Sequence, residues 1–357
     1  LIINVGAYSS LALAQEIIEN PEKPLSEQAG RVLQLVEELR ITDEGGEFFF
    51  RSPLEVKVDE DGFVYVREKD KLFRFDPDGK FIKNILRSGE GPGEVQELAS
   101  FEFDGDEVIL FCSMRNKIIR TDKDGNLIQD SRFDEERFIR LLSFYENKYF
   151  VLDYEWKNLE RTSGIKDLGH SLFIVDEEGK ISSTPYSFPT LQAMKVKTRG
   201  SRGRGSVSIS PITRIQTARA YPNYLYIAHT QDYMIKLLDF DTSQIIRFFR
   251  REYEKVKRES QESIEYLMTE YQNDAQKLLI YKDKLWVLTS TYKEGKGILV
   301  DVFNQGGEYI DNFFLPLFKI KRENLGLWPM TVDGENLFIL EINEDETLAF
   351  VKYKIGN

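Results

Sequence analysis

Short apolar runs separated by polar turns occupy most of this chain, and four of the turns share one composition: Asp59-Glu-Asp-Gly62, Asp76-Pro-Asp-Gly79, Asp122-Lys-Asp-Gly125 and Asp176-Glu-Glu-Gly179. The stretches Lys71 to Ile82 (KLFRFDPDGKFI) and Lys117 to Ile128 (KIIRTDKDGNLI) repeat one another, with Asp76 and Asp122 standing 46 positions apart. Asp bonds its own following backbone and Gly accepts the positive φ of a tight hairpin, so these turns are structural. A period of about 40–50 residues, each holding several short strands, is the mark of a β-propeller blade. The expected blades run from Leu54 to Leu86, Leu98 to Phe133, Ile139 to Phe188, Ile212 to Phe249 and Gln276 to Leu315, with strands at Met330 to Val332, Asn336 to Glu341 and Leu348 to Tyr353 after them.

That last group is one strand short. The apolar-rich stretch Val32 to Ile41 has no blade of its own, and pairing it beside Leu348 to Tyr353 would complete the sixth and hide two sheet edges. The expected fold class is therefore all-β, a six-bladed β-propeller closed by an N-terminal strand. The runs VILF, LYIA, LWVL and LFIL in second strands are continuously apolar, as sheets covered on both faces require. Helical spacing occurs once: Ile264, Leu267, Met268 and Tyr271 fall at i, i+3, i+4 and i+7, predicting one inserted α-helix within about 250–272.

Composition changes the picture in three places. The net charge of −12 argues against non-specific nucleic-acid binding and leaves an anionic ligand in need of a local basic patch. Cys112 is the single cysteine and lies in an apolar run, so it reads as a core thiol with no intramolecular disulfide and no Cys-based zinc site. Residues 1–14 (LIINVGAYSSLALA) carry no charge and end in Ala-Leu-Ala, which matches the end of a secretory signal. The domain reading is a signal remnant over 1–14, an extension over 15–31 and the propeller over 32–357, in a periplasmic or secreted protein with no membrane span.

The segment Leu72 to Ile82 followed by Gly89-Glu-Gly-Pro-Gly-Glu94 resembles bacterial exported six-bladed propellers of the NHL-repeat-like kind, most sharply over Pro53 to Leu98. The resemblance implies the fold and brings no catalytic residue. Gly89, Gly91, Pro92, Gly93 and Glu94 read as a structural crossing between blades one and two, because a phosphate cradle needs a following helix N-terminus and Val95 to Phe103 is another strand.

Loop lengths carry the functional signal. Turns between first and second strands and between third and fourth strands are short, whereas Thr42 to Ser52, Arg87 to Glu97, Asp153 to His170, Pro189 to Pro211, Arg250 to Ala275, Ser290 to Gly297 and Pro316 to Trp328 gather on the other face. Binding usually resides on such loops. Lys195, Lys197, Arg199, Arg202 and Arg204 concentrate positive charge there, and guanidinium forks match carboxylate, sulfate or phosphate oxygens. The plain alternative is a solvated, glycine-rich loop. Trp156, Tyr292 and Trp328 can stack on a ligand or pack beneath their loops, and with Arg51 and Arg115 they outline a mouth.

Catalysis has few residues to draw on: His170 and His229 are the only histidines, so a three-His zinc site is excluded. The favoured expectation is a non-catalytic, monomeric binding or scaffold propeller for a peptide, glycan or protein, needing neither cofactor nor metal. The alternative is a propeller hydrolase or lyase for a sugar-derived or lactone substrate, with His170 or His229 as base near a carboxylate-bound divalent cation.

Overall fold

The computed structural model describes residues 17–43, 46–112, 117–133, 139–154, 164–197, 206–211, 214–220, 222–258, 269–318, 320 and 322–356. Six sheets of four or five strands follow one another along the chain, each built on an antiparallel four-stranded meander or its equivalent closed by an N-terminal strand. Their first strands are Glu55–Val58, Ser100–Asp104, Ile139–Tyr145, Ile215–Ala220, Ala275–Tyr281 and Met330–Asp333. The fourth strands of blades one to five are Phe81–Asn84, Leu127–Arg132, Ile181–Lys197, Gln244–Arg251 and Tyr309–Leu315.

The apolar residues form six clusters, and each cluster joins a neighbouring pair of blades. Phe50, Val56, Phe73, Phe75, Phe338 and Phe350 sit between blades six and one, and Tyr65, Phe101, Val108 and Leu110 between one and two. Phe111, Ile118, Phe144 and Tyr149 bridge two and three, Phe150, Phe188, Ile227 and Phe240 three and four, Tyr226, Phe249, Val287 and Phe303 four and five, and Trp286, Val300, Phe313 and Ile339 five and six. Each blade thus buries both faces, which accounts for the continuously apolar second strands. Cys112 lies in the cluster between blades one and two, and burial pushes its thiol up to about 12.

The Asp-Gly turns are one device used four times. Asp59, Asp76, Asp122 and Asp176 each accept through Oδ1 from the backbone N–H groups two and four residues on, at 2.8–3.1 Å, and Gly62, Gly79, Gly125 and Gly179 adopt φ of +82 ± 1°. At Gly125 a Cβ would come within 2.5 Å of the Ile85 carbonyl oxygen, so this glycine also lets blades one and two approach.

The N-terminal segment runs along three blades. Ile17–Asn20 lies parallel to Gln244–Arg251, and Arg31–Val32 parallel to Tyr309–Leu315. Leu35–Ile41 pairs antiparallel with Leu348–Ile355, from Leu35 opposite Ile355 to Ile41 opposite Phe350. The expected strand Val32 to Ile41 is thus divided: Val32 pairs with blade five, Leu33 N–H still donates to the Phe314 carbonyl there, and Leu35–Ile41 lies in the sheet of blade six. Residues 1–14 lie outside the described residues.

Three expectations are corrected. No α-helix occurs among the described residues, and the segment about 250–272 is not supported as a helical insertion. Arg250 and Arg251 end a strand, Lys257 bridges Tyr271, and Arg258 N–H and Gln272 N–H donate across to the Glu270 and Val256 carbonyls. Those bonds between two segments of the chain use backbone groups that a helix would have bonded internally; Ile264, Leu267 and Met268 lie outside the described residues. The long connections of blade three are largely strand: Gly164–Asp176 and Ile181–Lys197 pair as far as Gly164 opposite Met194, and Ser206–Pro211 adds a fifth strand. In blade four the first strand begins at Ile215, three residues later than expected.

Between blades four and five, Asp301 is wholly buried and accepts from Arg251 Nε at 2.8 Å, Tyr233 OH at 2.6 Å and Tyr309 OH at 2.7 Å. The Arg251 guanidinium lies 4.9–5.3 Å from the ring centroids of Tyr253, Tyr309 and Tyr233. Removing one member leaves a buried charge uncompensated. Asp301→Ala is expected to lower the free energy of unfolding by about 3–5 kcal/mol in urea titrations. Deleting residues 17–34 should leave a cooperative, weakened unfolding transition. Deletion through Ile41 should abolish cooperativity, because it strips a strand and uncovers the blade-six core.

Candidate functional site: the central channel

The first strands of all six blades line a cavity of 580 Å³ on the propeller axis. Among the described residues its charged lining comprises six cations (Lys57, Arg67, Arg140, Arg214, Arg219 and Lys277) and three anions (Glu55, Glu102 and Asp333). A channel with more cations than anions inside a chain of net charge −12 is a local reversal of sign.

Strand alternation places these groups. In Glu55–Val58, Val56 and Val58 turn toward blade six and join its apolar cluster, while Glu55 and Lys57 turn toward blade two. Lys57 Nζ pairs with Glu102 at 2.6 Å and Glu55 at 3.3 Å, and Arg67 Nε meets Glu55 at 2.8 Å. Two of the three channel carboxylates are therefore engaged within blades one and two.

Across the channel the acceptors change. Arg140 donates to the Ile215 carbonyl at 3.0 Å, Gln216 to the Gly326 carbonyl at 3.1 Å, and Lys277 Nζ to the Trp328 carbonyl at 2.7 Å. Burial lowers the Lys277 ammonium to about 8, with Glu55 opposing the shift and Arg140 adding to it. Arg67, Arg140, Arg214 and Lys277 stand at the strand ends that carry the long connections. The short-turn end differs in sign: Lys123 is held there by Asp61 at 2.7 Å, Asp106 at 3.3 Å and Asp59 at 3.6 Å, and burial raises Asp333 above the ordinary carboxylate range.

A second cavity, of 730 Å³, is lined by His229, Asp232, Tyr233, Arg251, Tyr253 and Asp274 among others, beside the Asp301 network. Burial raises Asp274, and Lys255 at 3.1 Å opposes that rise. His170 is buried with Nε2 2.5 Å from Thr190 Oγ1; burial, then the Arg140 charge, lowers it to about 4. Among the described residues no three or more His, Cys, Asp or Glu side chains come together as a metal-binding group.

The other expected site residues are dispersed. Arg51 is exposed, and its backbone N–H, with that of Ser52, is taken by Glu68 Oε1. Tyr292 is half-buried against the core of blades five and six. Trp328 packs against the clusters on both sides of blade six and donates Nε1 to the Leu340 carbonyl at 2.6 Å, so it reaches the channel only through its own carbonyl. Lys195 and Lys197 lie in a strand, and Arg115, Trp156, Arg199, Arg202 and Arg204 lie outside the described residues. Gly89 to Glu94 folds onto blade two: Lys117 Nζ, buried, donates to the Gly91 and Glu94 carbonyls at 2.9 and 3.0 Å and pairs with Asp130 at 2.7 Å. A Cβ at Gly89 would collide with the Glu94 carboxylate, which accepts from Gly91 N–H at 2.8 Å.

Lys57, Arg140, Gln216 and Lys277 were not singled out from the sequence. Their signal is polar residues interleaved with apolar ones in the first strands, as in EVKV, IRLL, IQTARA and QKLLI.

Fold and channel define a six-bladed propeller with a charged axial cavity. Residues 47–341 match the model of the DUF5128 family, 6-bladed beta-propellers, and the chain belongs to that family. No curated protein matches the sequence. Among solved structures, a member of the DUF4221 family from Bacteroides vulgatus aligns at TM-score 0.57 and 14% identity, covering 92% of this chain and 99% of its own. A protein assigned as exported from Bacteroides fragilis aligns at TM-score 0.54 and 12% identity, covering 96% and 100%. At these identities the likeness is one of fold. Among the described residues no helix is long and apolar enough to cross a membrane.

The depressed His170 has a stability consequence. Between pH about 4 and 6.5 the unfolded chain holds a proton that the folded one lacks, so stability falls as pH drops through that window. Urea unfolding at pH 4.5 and 7.5 should show a smaller pH-dependent loss in His170→Gln than in the parent.

Proposed function

We propose that this chain is an extracytoplasmic binding propeller that holds an anionic ligand, in the form of an acidic peptide, glycan or protein segment, at the long-loop end of its central channel. The observation that carries the reading is the six-to-three excess of cations over anions around a 580 Å³ cavity. Two of the carboxylates are engaged by Lys57 and Arg67, while Arg140 and Lys277 rest on backbone carbonyls. Neutral acceptors hold a guanidinium or ammonium in place without cancelling its charge. An incoming carboxylate, sulfate or phosphate would then gain charge-assisted hydrogen bonds. Low-dielectric walls strengthen them relative to the same groups on the surface.

Export and the NHL-like kinship with its Gly-x-Gly-Pro-Gly-Glu mark belong to the same proposal. It is supported by the Ala-Leu-Ala sequence of residues 12–14 and by the fold shared with an exported protein. The arrangement favours binding over catalysis, because His170 is packed against Thr190 and His229 lines the other cavity.

The experiment is calorimetric titration with dicarboxylates, inorganic phosphate, sulfate and acidic oligosaccharides. Arg140→Gln and Arg214→Gln should each weaken binding about tenfold or more, the effect of one charge-assisted bond. Raising the pH through about 8 removes the Lys277 charge, so affinity should fall on the alkaline side in the parent and stay flat in Lys277→Met. Binding that is indifferent to all three substitutions would place the ligand elsewhere.

A further inference from the structure

Lys277 offers more than charge. We propose that it is a covalent capture site, forming an imine with the carbonyl carbon of a small anionic ligand that carries an aldehyde or ketone beside its acid group, such as a 2-oxo acid. The inference rests on the anion-binding reading of the channel and names the chemistry of one of its residues.

Three observations converge on this lysine. Lys277 lies near the start of the first strand of blade five and lines the axial cavity, with room beside it for a ligand. Its Nζ donates to the Trp328 carbonyl at 2.7 Å, an acceptor that aligns the amine without an ion pair to stabilise its protonated form. Trp328 is itself pinned, packed against two core clusters with its indole N–H on the Leu340 carbonyl, so the acceptor is fixed. Arg140 and Arg214 line the same cavity from blades three and four and supply the anion contacts that would bring a ligand's carbonyl to the amine.

Protonation favours the step. Burial lowers this amine to about 8, leaving about a tenth of it unprotonated at pH 7, against well under a thousandth for a free lysine. Lysines acquire nucleophilic character through such desolvation and cationic neighbours.

The chemistry balances without an added oxidant or reductant. The Nζ lone pair attacks the carbonyl carbon, the C–N bond forms, and the carbonyl electron pair moves to oxygen. Both Nζ protons of the neutral amine leave with that oxygen as one water, and the C=N bond closes. Hydrolysis reverses the sequence, so the adduct serves reversible capture.

The test is reductive trapping on the full chain with glyoxylate or pyruvate and cyanoborohydride, followed by peptide mapping. The expected result is an adduct on Lys277 formed at least about tenfold faster than on surface lysines, with a rate rising through pH 8. It should be absent in Lys277→Arg, which keeps the positive charge, and slowed in Arg140→Gln. Labelling spread evenly over the lysines, or unchanged by Lys277→Arg, overturns the proposal. Titration with lactate, which has the acid and no carbonyl, separates the two readings. Lactate or pyruvate binding without a Lys277 adduct defeats the capture site alone, whereas no binding by either defeats the capture site while an acidic peptide or oligosaccharide can still sustain the anion-binding reading of the channel.

Discussion

Six twisted sheets stacked face to face around an axis force their first strands together, and that convergence governs the rest of the molecule. Each blade must bury both faces, so the apolar residues gather into six wedges between neighbours. The axial edge is left unfilled, as a cavity of 580 Å³. Polar side chains there must find partners in the adjacent blade, as Lys57 does in Glu102, or in backbone that the axis brings near, as Arg140, Gln216 and Lys277 do. The channel chemistry is thus a product of the packing geometry, and it is pre-organised because most of its wall is strand within a sheet.

Turn chemistry explains why net charge misdirects. Aspartate is used at Asp59, Asp76, Asp122 and Asp176 because its carboxylate caps two backbone N–H groups. These turns all lie at the short-turn end, so acidity accumulates on that face for backbone reasons. Part of the net charge of −12 therefore reflects how the hairpins are made. The opposite strand ends carry Arg67, Arg140, Arg214 and Lys277, and an anion approaching the molecule meets a field that favours the long-loop end.

The blades were legible because a turn needing positive φ and a carboxylate acceptor leaves an unmistakable Asp-x-x-Gly trace, and because strands covered on both faces are apolar without interruption. Less was legible where pairing extends a strand beyond its blade. Asp153 to His170 and Pro189 to Pro211 read as loops, yet Ile181–Lys197 finds Gly164–Asp176 on one side and Ser206–Pro211 on the other. Such pairing is non-local, and strand propensity depends strongly on it. The expected helix finds no support among the described residues for a related reason: apolar spacing at Ile264 to Tyr271 satisfies a helical template, but Tyr271 bridges Lys257 in an extended arrangement. The channel itself was the least legible, because a lysine within QKLLI becomes a ligand group only once five other blades surround it.

Trp328 illustrates how a residue chosen for one role serves another. A tryptophan in a long loop suggests a stacking surface, but its ring packs between the clusters flanking blade six and its indole N–H is spent on Leu340. What it offers the channel is a carbonyl oxygen whose position the half-buried, packed ring fixes. A carboxylate at the same place would neutralise Lys277 and raise its affinity for protons. A carbonyl aligns the nitrogen and leaves both its charge and, once deprotonated, its lone pair available. The side chain packs beside the core while its backbone carbonyl aligns the lysine opposite.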